Sequence, residues 1–167
     1  SGPLVMSFSA MEEYYQTQGR EWERYAMIKA RAIGMDIAAG EQLLETLRPF
    51  VYRRYLDFGV IQSLRDLKIM IDQETVKKGR QDHLKLGPGG IREVEFIAQV
   101  FQLMRGGQDV ALRSRSTPGV LRLLAERDLL DTDESAGLIE AWRFLRIAEN
   151  HLQMMNDRQT HELPVNT

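Results

Sequence analysis

The chain contains no cysteine, and this absence removes several kinds of site from consideration. Without thiols it can form neither a disulfide framework nor a thiolate metal site, and it has no cysteine nucleophile. The absence agrees with a reducing compartment, so we expect a cytoplasmic location. His83, His151 and His161 lack any short metal-ligand spacing, and we expect surface or capping roles for them. We predict no metal site within this chain.

Long apolar runs and net charge are also scarce. No apolar run approaches the roughly 20 residues that span a bilayer, and the N-terminus lacks the charged-then-apolar layout of a signal peptide. The net charge is only -2, although 28% of the residues are charged. Because no overall field would recruit nucleic acid or an anionic membrane, we expect neither as a partner.

Apolar residues recur at helical spacing along most of the chain. With 167 residues and 43% apolar content, the sequence can build one domain with a substantial core. Glycine and proline fall between the periodic segments, and neither strand alternation nor an internal repeat is evident. We predict an all-α bundle of about six helices within residues 1–164, followed by a tail at 165–167. The helical segments are residues 11–32, 41–47, 50–58, 60–78, 91–105, 117–128 and 134–156, with Ser9 capping the first and Thr132 or Asp133 the last.

The segment KLGPGGIREVEF at residues 85–96 joins a glycine-rich turn to a helix that opens with charges. Gly87, Gly89 and Gly90 permit backbone angles closed to other residues, and N–H groups at a helix start are unpaired donors that suit an anion. The twelve-residue loop ending at Gly90 is long for a bundle, so we interpret it as a candidate functional element.

The helix after this turn has two distinct faces. One face carries the predicted core residues Ile91, Val94, Ile97, Phe101 and Met104. The other face, with Arg92, Glu95, Gln99 and Gln102, could line a cleft. An ordinary connector explains the same pattern, because acidic residues suit the positive end of a helix dipole. The turn also matches no nucleotide-binding glycine fingerprint.

Four other charged segments have simpler interpretations. The basic residues around Trp22 and Tyr25 indicate either a salt-bridged helix with an aromatic core anchor or a phosphate contact; they are Arg20, Arg24, Lys29 and Arg31. Two exposed basic pairs, Arg53–Arg54 and Arg113 with Arg115, could touch a phosphate or an acidic partner. Residues 131–135 imitate a calcium loop but lack its glycine and final glutamate, so a helix N-cap cluster is the better interpretation.

Several segments together closely resemble one family, the bacterial glutamine-synthetase adenylyltransferase or adenylyl-removing enzyme. They are KLGPGGIREVEFIAQ at 85–99, GREWERYAMIKAR at 19–31, LRPFVYRRY at 47–55, VIQSLR at 60–65 and VFQLMRGG at 100–107. The resemblance extends to about Pro164. That family carries two nucleotidyltransferase halves, each a catalytic sheet followed by a helical region. This chain resembles the helical region of the first, deadenylylating half.

The resemblance implies a reaction and its components. In the family, an adenylyl group is transferred from ATP to a tyrosine of glutamine synthetase and is removed with phosphate, which releases ADP. Mg²⁺ is held by aspartates on the sheet in a Gly-Ser-Asp-x-Asp motif that is absent here, so we assign no catalytic residue and expect this chain alone to be inactive. The implied partners are glutamine synthetase, the PII signalling protein and the sheet itself.

The residues that we expect to face nucleotide or phosphate are Lys85, Gly87, Gly89, Gly90, Arg92 and Glu93. Lys85 and Arg92 would supply the cationic part. The alternative hypothesis is a noncatalytic module that docks PII or glutamine synthetase. Charges facing a cleft would favour the first hypothesis, and a sealed turn would favour the second.

Overall fold

The computed structural model describes residues 5–34, 36–53, 59–77 and 83–156, and these ranges are mainly helical without a β-strand. They contain seven α-helices and a short 3-10 helix at Val110–Arg113. The α-helices are α1 (Phe8–Thr17), α2 (Glu21–Met27), α3 (Ile37–Val51), α4 (Val60–Lys77), α5 (Ile91–Arg105), α6 (Thr117–Glu126) and α7 (Thr132–Asn156). The predicted all-α class is therefore confirmed. In these ranges no helix has the length and apolar character required to cross a membrane.

The prediction of one helix over residues 11–32 is wrong, because the chain turns between α1 and α2 at Gly19. A Cβ atom on Gly19 would lie 2.7 Å from the Tyr15 carbonyl oxygen and 2.5 Å from Cε2 of Phe50, so the turn leaves little room for a side chain. The cap also differs from the prediction: Ser7, and not Ser9, accepts a hydrogen bond from the Ala10 N–H at 3.2 Å. This break lets α1 and α2 pack separately.

Helix α3 replaces the two short helices predicted at residues 41–47 and 50–58. The Asp36 carboxylate caps its first turn by accepting from the Ala39 N–H at 2.9 Å. Pro49 lies inside the helix, two residues before its end at Val51, and lacks the N–H that would donate to the carbonyl of Glu45. Residues 54–58 lie outside the described residues, as do the predicted tail at 165–167 and His161.

Helix α5 lies between two apolar clusters and contributes to both. One cluster of buried residues joins it to α2 and α3 and consists of Tyr25, Ile28, Val51 and Leu103. The other joins it to α6 and α7 and consists of Val94, Ala98, Leu112, Val120, Leu121, Leu124 and Ile139. The predicted core face was incomplete: Ile91 and Val94 are buried, whereas Ile97, Phe101 and Met104 are half-buried. A helix covered on two sides buries more than one stripe.

Helix α7 begins at Thr132, which is one residue before the earlier of the two starts that the predicted caps imply. Asp131 is the capping residue, because its carboxylate accepts from the N–H groups of Asp133 at 2.9 Å and Glu134 at 3.2 Å. The interpretation of this segment as an N-cap cluster is confirmed. Five apolar residues at helical spacing along α7 are only half-buried: Leu138, Trp142, Leu145, Ala148 and Leu152. The side that α7 buries carries Ser135 and Ile139 instead.

Arg24 of α2 is fully buried, whereas its sequence context predicted a salt-bridged helix or a phosphate contact. Its Nε donates to the Val51 carbonyl at 2.8 Å and its Nη2 donates to the Leu103 carbonyl at 3.1 Å. Its Nη1 reaches the Glu21 carboxylate at 3.1 Å. Burial lowers the pKa of Arg24, and Glu21 opposes that shift. One side chain therefore ties the end of α3 and the end of α5 to α2.

Candidate functional site

The glycine turn before α5 satisfies its own backbone donors. Gly89 N–H donates to the Glu93 carboxylate at 2.8 Å, and Gly90 N–H donates to the Gly87 carbonyl at 2.9 Å. The N–H groups of Ile91, Arg92 and Glu93 donate to the carbonyls of Leu84, Lys85 and Gly90, all at 3.0 Å. The prediction that free N–H groups here would bind an anion is therefore wrong.

The glycines in this turn have structural reasons to be glycine. Gly89 has a φ of +71°, a left-handed conformation that strains other residues. A Cβ atom on Gly90 would lie 2.6 Å from the Leu84 carbonyl oxygen, which leaves no room for a side chain. Gly87 and Gly90 are buried, and Gly89 is exposed. The turn thus fixes the relative positions of Lys85, which precedes it, and Arg92, which follows it.

Glu93 holds the turn against α4. One carboxylate oxygen accepts from Gly89, and the other accepts from Lys68 Nζ at 2.6 Å. Lys68 also contacts Asp72 at 2.6 Å. The hydrogen bond from Lys68 lowers the pKa of Glu93, and the bond from Gly89 lowers it further. The carboxylate is thus occupied by contacts that support the turn.

Replacing this carboxylate should produce a stability loss that depends on pH. Because the pKa of Glu93 is lowered in the folded chain, its contribution is present above the ordinary carboxyl pKa and is lost as pH falls through the lowered value. We expect Glu93→Gln to reduce the free energy of unfolding by about 1 kcal/mol at pH 7, after discounting for exposure. The loss should shrink toward zero in acid. Denaturant unfolding at pH 7 and in acid measures the loss of stability, with the exposed Glu126→Gln as the matched control. An equal loss at pH 7 and in acid would contradict the ion-pair explanation.

Lys85 and Arg92 line one groove of about 690 Å³ bordered by α2, α4 and α5. Helix α2 contributes Trp22 and Tyr25, Lys29 follows just after its end, and α5 contributes Glu95 and Gln99 in addition to Arg92. Arg92, Glu95 and Gln99 were predicted to share a helix face that could line a cleft, and all three line this groove. Gln102 is an exception, since it is fully buried and its Nε2 donates to the carbonyls of Leu112 and Ser114.

Positive charge predominates in the groove. Burial lowers the pKa of Lys29, whose Nζ donates to the Arg115 carbonyl at 2.6 Å and to Thr117 Oγ1 at 3.1 Å. Burial raises the pKa of Tyr25 to about 12, and the charge of Arg92 and its hydrogen bond with Tyr25 act against that rise. Glu95 is the groove's acidic residue, and it accepts from Trp142 Nε1 at 3.4 Å.

For two groove residues, Trp22 and Lys29, the structure shows a role that the sequence did not predict. Trp22 was predicted as a core anchor, but it is 50% exposed and forms part of the groove wall, whereas Tyr25 is buried as expected. In the sequence, Lys29 is only one of four basic residues on a predicted helix. Its position 56 residues before Lys85 gave no signal that the two share a cleft. The described residues hold no group of three histidine, cysteine, aspartate or glutamate side chains able to bind a metal ion.

Two family models match this chain. The model described as GlnD PII-uridylyltransferase matches residues 65–167, which is more than half of the chain. The chain belongs to that family. The model described as Glutamate-ammonia ligase adenylyltransferase matches residues 1–46, so the two models together include both α2 and α5.

Members of one enzyme group are similar over the whole chain. The chain is 59% identical over 167 residues to the bifunctional glutamine synthetase adenylyltransferase/adenylyl-removing enzyme of Nitrosococcus oceani, covering 100% of this chain and 17% of that protein. It is 56% identical over 164 residues to the enzyme of the same description from Hahella chejuensis, covering 98% of this chain and 17% of that protein. The corresponding enzyme of Pseudomonas aeruginosa is 57% identical over 164 residues, with the same coverage of 98% and 17%. The resemblance found from the sequence motifs is confirmed.

The chain spans only 17% of the length of these relatives. The described structure is all-helical, and the metal-binding carboxylates that the resemblance implies for the enzyme are not grouped in it. The described residues therefore do not fit Mg²⁺.

Proposed function

We propose that this chain is the helical region of the deadenylylating half of a bifunctional glutamine synthetase adenylyltransferase/adenylyl-removing enzyme. The longer protein would act in the bacterial cytoplasm, use ATP, ADP and Mg²⁺, and have glutamine synthetase as substrate and PII as signalling partner. The similarity over the full 167 residues supports the assignment to this enzyme. The helical part would close one side of the cleft, while the catalytic sheet would hold the metal.

The groove between α2 and α5 is the surface that we assign to the adenylyl group and phosphate. The observation that carries this assignment is the convergence of Lys85 and Arg92 on one groove with Lys29. In the deadenylylation, a phosphate oxygen forms a bond to the adenylyl phosphorus as the bond to the tyrosine oxygen breaks, yielding ADP and free tyrosine. Cationic groups beside such a centre stabilise the charge on the phosphate oxygens.

The individual residues contribute differently to this proposed role. Lys85 and Arg92 would contact the phosphate oxygens, while Gly87, Gly89 and Gly90 would position these two side chains through the turn geometry. Glu93 would maintain that geometry through Gly89 and Lys68. Since the turn's N–H groups are occupied, the anion affinity would come from side chains alone.

The occupied turn is also the observation that favours the second candidate, a noncatalytic docking module for PII or glutamine synthetase. Trp22 and Met70 expose apolar surface at the groove, with exposed fractions of 50% and 47%. A partner protein could cover such a surface. The two candidates differ in whether the groove charges influence the chemical rate or only the binding of a partner.

We expect Lys85→Ala and Arg92→Ala, made separately in the full-length enzyme, to lower the deadenylylation rate roughly tenfold or more. A charge-assisted hydrogen bond contributes about 1.5 to 3 kcal/mol, which corresponds to that factor in rate. The rate of ADP release from adenylylated glutamine synthetase, measured with protein substrate and phosphate both saturating, tests this expectation.

Arg105→Ala is the matched control, because Arg105 is an exposed arginine at the opposite end of the same helix. It should retain the wild-type rate. If the Lys85 and Arg92 variants also retain wild-type rates while their affinity for PII or glutamine synthetase falls, the groove is a docking surface and the catalytic assignment is wrong.

A further inference from the structure

A second cluster of basic side chains lies outside the groove described above. Arg48 from α3 and Arg113 and Arg115 from the segment before α6 line a small pocket of about 180 Å³ together with Tyr52. Arg48 is 65 residues away from Arg113 in sequence, so the fold and not the local sequence brings these charges together. Like charges gathered in this way repel one another, and an anion between them would relieve that repulsion.

The walls of the pocket are held in place by contacts within the chain. Arg113 Nε donates to the Gly106 carbonyl at 2.6 Å, and its guanidinium carbon lies 5.2 Å from the centre of the Tyr52 ring. A Cβ atom on Gly106 would lie 2.6 Å from Cδ1 of Tyr52, so the ring packs directly on this glycine. Arg113 is therefore fixed at both its Nε and its guanidinium plane.

The Arg115 backbone is also fixed. Its carbonyl accepts from Lys29 Nζ at 2.6 Å, and its Nη1 lies 3.4 Å from the Ala30 carbonyl. Two acidic residues, Glu41 at the pocket and Glu45 in an ion pair with Arg48, oppose the three arginines. An excess of one positive charge remains around the cavity.

Tyr52 adds a neutral donor. Burial raises the pKa of Tyr52, while the charges of Arg113 and Arg48 act in the opposite direction. The hydroxyl therefore keeps its proton at neutral pH and can donate it to an oxyanion. Residues from two parts of the chain thus line one small space, and among them are three arginines and one tyrosine.

We propose that this pocket binds a small free oxyanion, such as inorganic phosphate or a short dicarboxylate, at a site separate from the Lys85 and Arg92 groove. The volume of about 180 Å³ lies below the roughly 300 to 1,000 Å³ of pockets for drug-sized ligands, so a phosphate or a four-carbon dicarboxylate suits it better than a nucleotide. Planar guanidinium groups are suited to both ions, because each can donate two parallel hydrogen bonds to a pair of oxygens.

The test measures the melting temperature of the 167-residue chain in increasing phosphate or succinate, with potassium chloride keeping the ionic strength constant. A ligand that binds only the folded chain raises Tm in a saturable way, and we expect a rise of about 3 °C or more at saturation for at least one of the two anions. The anion that produces the rise identifies the ligand class.

Four variants locate the effect. Arg115→Ala and Arg48→Ala should each raise the half-saturating anion concentration about tenfold or more, since each removes a charged donor. Both side chains lie near the surface, and circular dichroism before each titration checks that the helices are intact. Arg105→Ala should respond as wild type does. The double variant Lys85→Ala with Arg92→Ala removes the groove cations, so a saturable rise in Tm that persists in this variant belongs to the pocket.

Three results would overturn the proposal. They are an equal rise in Tm with chloride alone, an undiminished anion response in Arg48→Ala and Arg115→Ala, and a response that disappears in the double groove variant. The last result would mean that the anion binds in the groove. Because this test does not depend on adenylyl chemistry, it can fail while the proposed function stands, and the reverse also holds.

Discussion

The purified 167-residue chain is expected to show neither adenylylation nor deadenylylation of glutamine synthetase. Nucleotidyl transfer of this kind relies on metal ions held by carboxylates, which typically supply several kcal/mol of transition-state stabilisation. The sequence contains no Gly-Ser-Asp-x-Asp motif, and the described residues do not fit Mg²⁺. The groove cations alone would contribute about 1.5 to 3 kcal/mol each, which is too little to replace a metal-assisted mechanism.

The assay follows labelled adenylyl groups on glutamine synthetase in both directions, with a full-length enzyme of the same group as the positive control. We expect the chain to be indistinguishable from the protein-free blank, with and without added Mg²⁺. Metal-dependent turnover that copurifies with the chain and follows its concentration would contradict the assignment of this chain to the noncatalytic, helical part.

Replacing Arg24 with leucine is expected to cost about 3 to 5 kcal/mol of the free energy of unfolding. Arg24 is fully buried and binds the carbonyls of Val51 and Leu103, which would lose their donors in the variant. Removing one partner from a buried charged network is costly, since the groups left behind are desolvated without compensation. Denaturant unfolding followed by circular dichroism measures the loss.

Two further variants separate charge from geometry. Arg24→Lys keeps the charge but has a single ammonium in place of the planar fork, so we expect it to recover only part of the stability. Arg122→Leu makes the same chemical change at an exposed arginine on α6 and should stay within about 0.5 kcal/mol of wild type. A loss below 1 kcal/mol in Arg24→Leu would show that the three contacts contribute little to holding α2, α3 and α5 together.

The sequence correctly predicted the helix boundaries that are determined by residues next to them in the chain. Helix α5 was predicted at residues 91–105 and is found at Ile91–Arg105, because glycines bracket an unbroken apolar period. The start of α4 was likewise predicted correctly. The break at Gly19 was missed, and one of the groups close to this glycine is the ring of Phe50, a residue 31 positions away. Sequence spacing carries no information about such an approach.

In the candidate site, too, the sequence predicted what neighbouring residues determine and missed what contacts in the fold determine. Arg92, Glu95 and Gln99 share a groove because helical spacing placed them on one face. The turn was predicted to leave its N–H groups free, but Glu93 and local carbonyls occupy them, and glycine content alone does not reveal such pairing. The sequence alone also does not distinguish Arg24 from Arg92. Only the packing of α3 and α5 around Arg24 makes it a buried structural residue.

The most direct test compares catalysis and binding in one full-length double variant, Lys85→Ala with Arg92→Ala. The deadenylylation rate at saturating phosphate and the affinity for adenylylated glutamine synthetase are measured on the same preparation, beside wild type and Arg105→Ala. If the groove faces the reacting phosphate, we predict a rate at least roughly tenfold below wild type with affinity for glutamine synthetase unchanged. A wild-type rate with weakened glutamine synthetase binding would contradict a catalytic role for the groove.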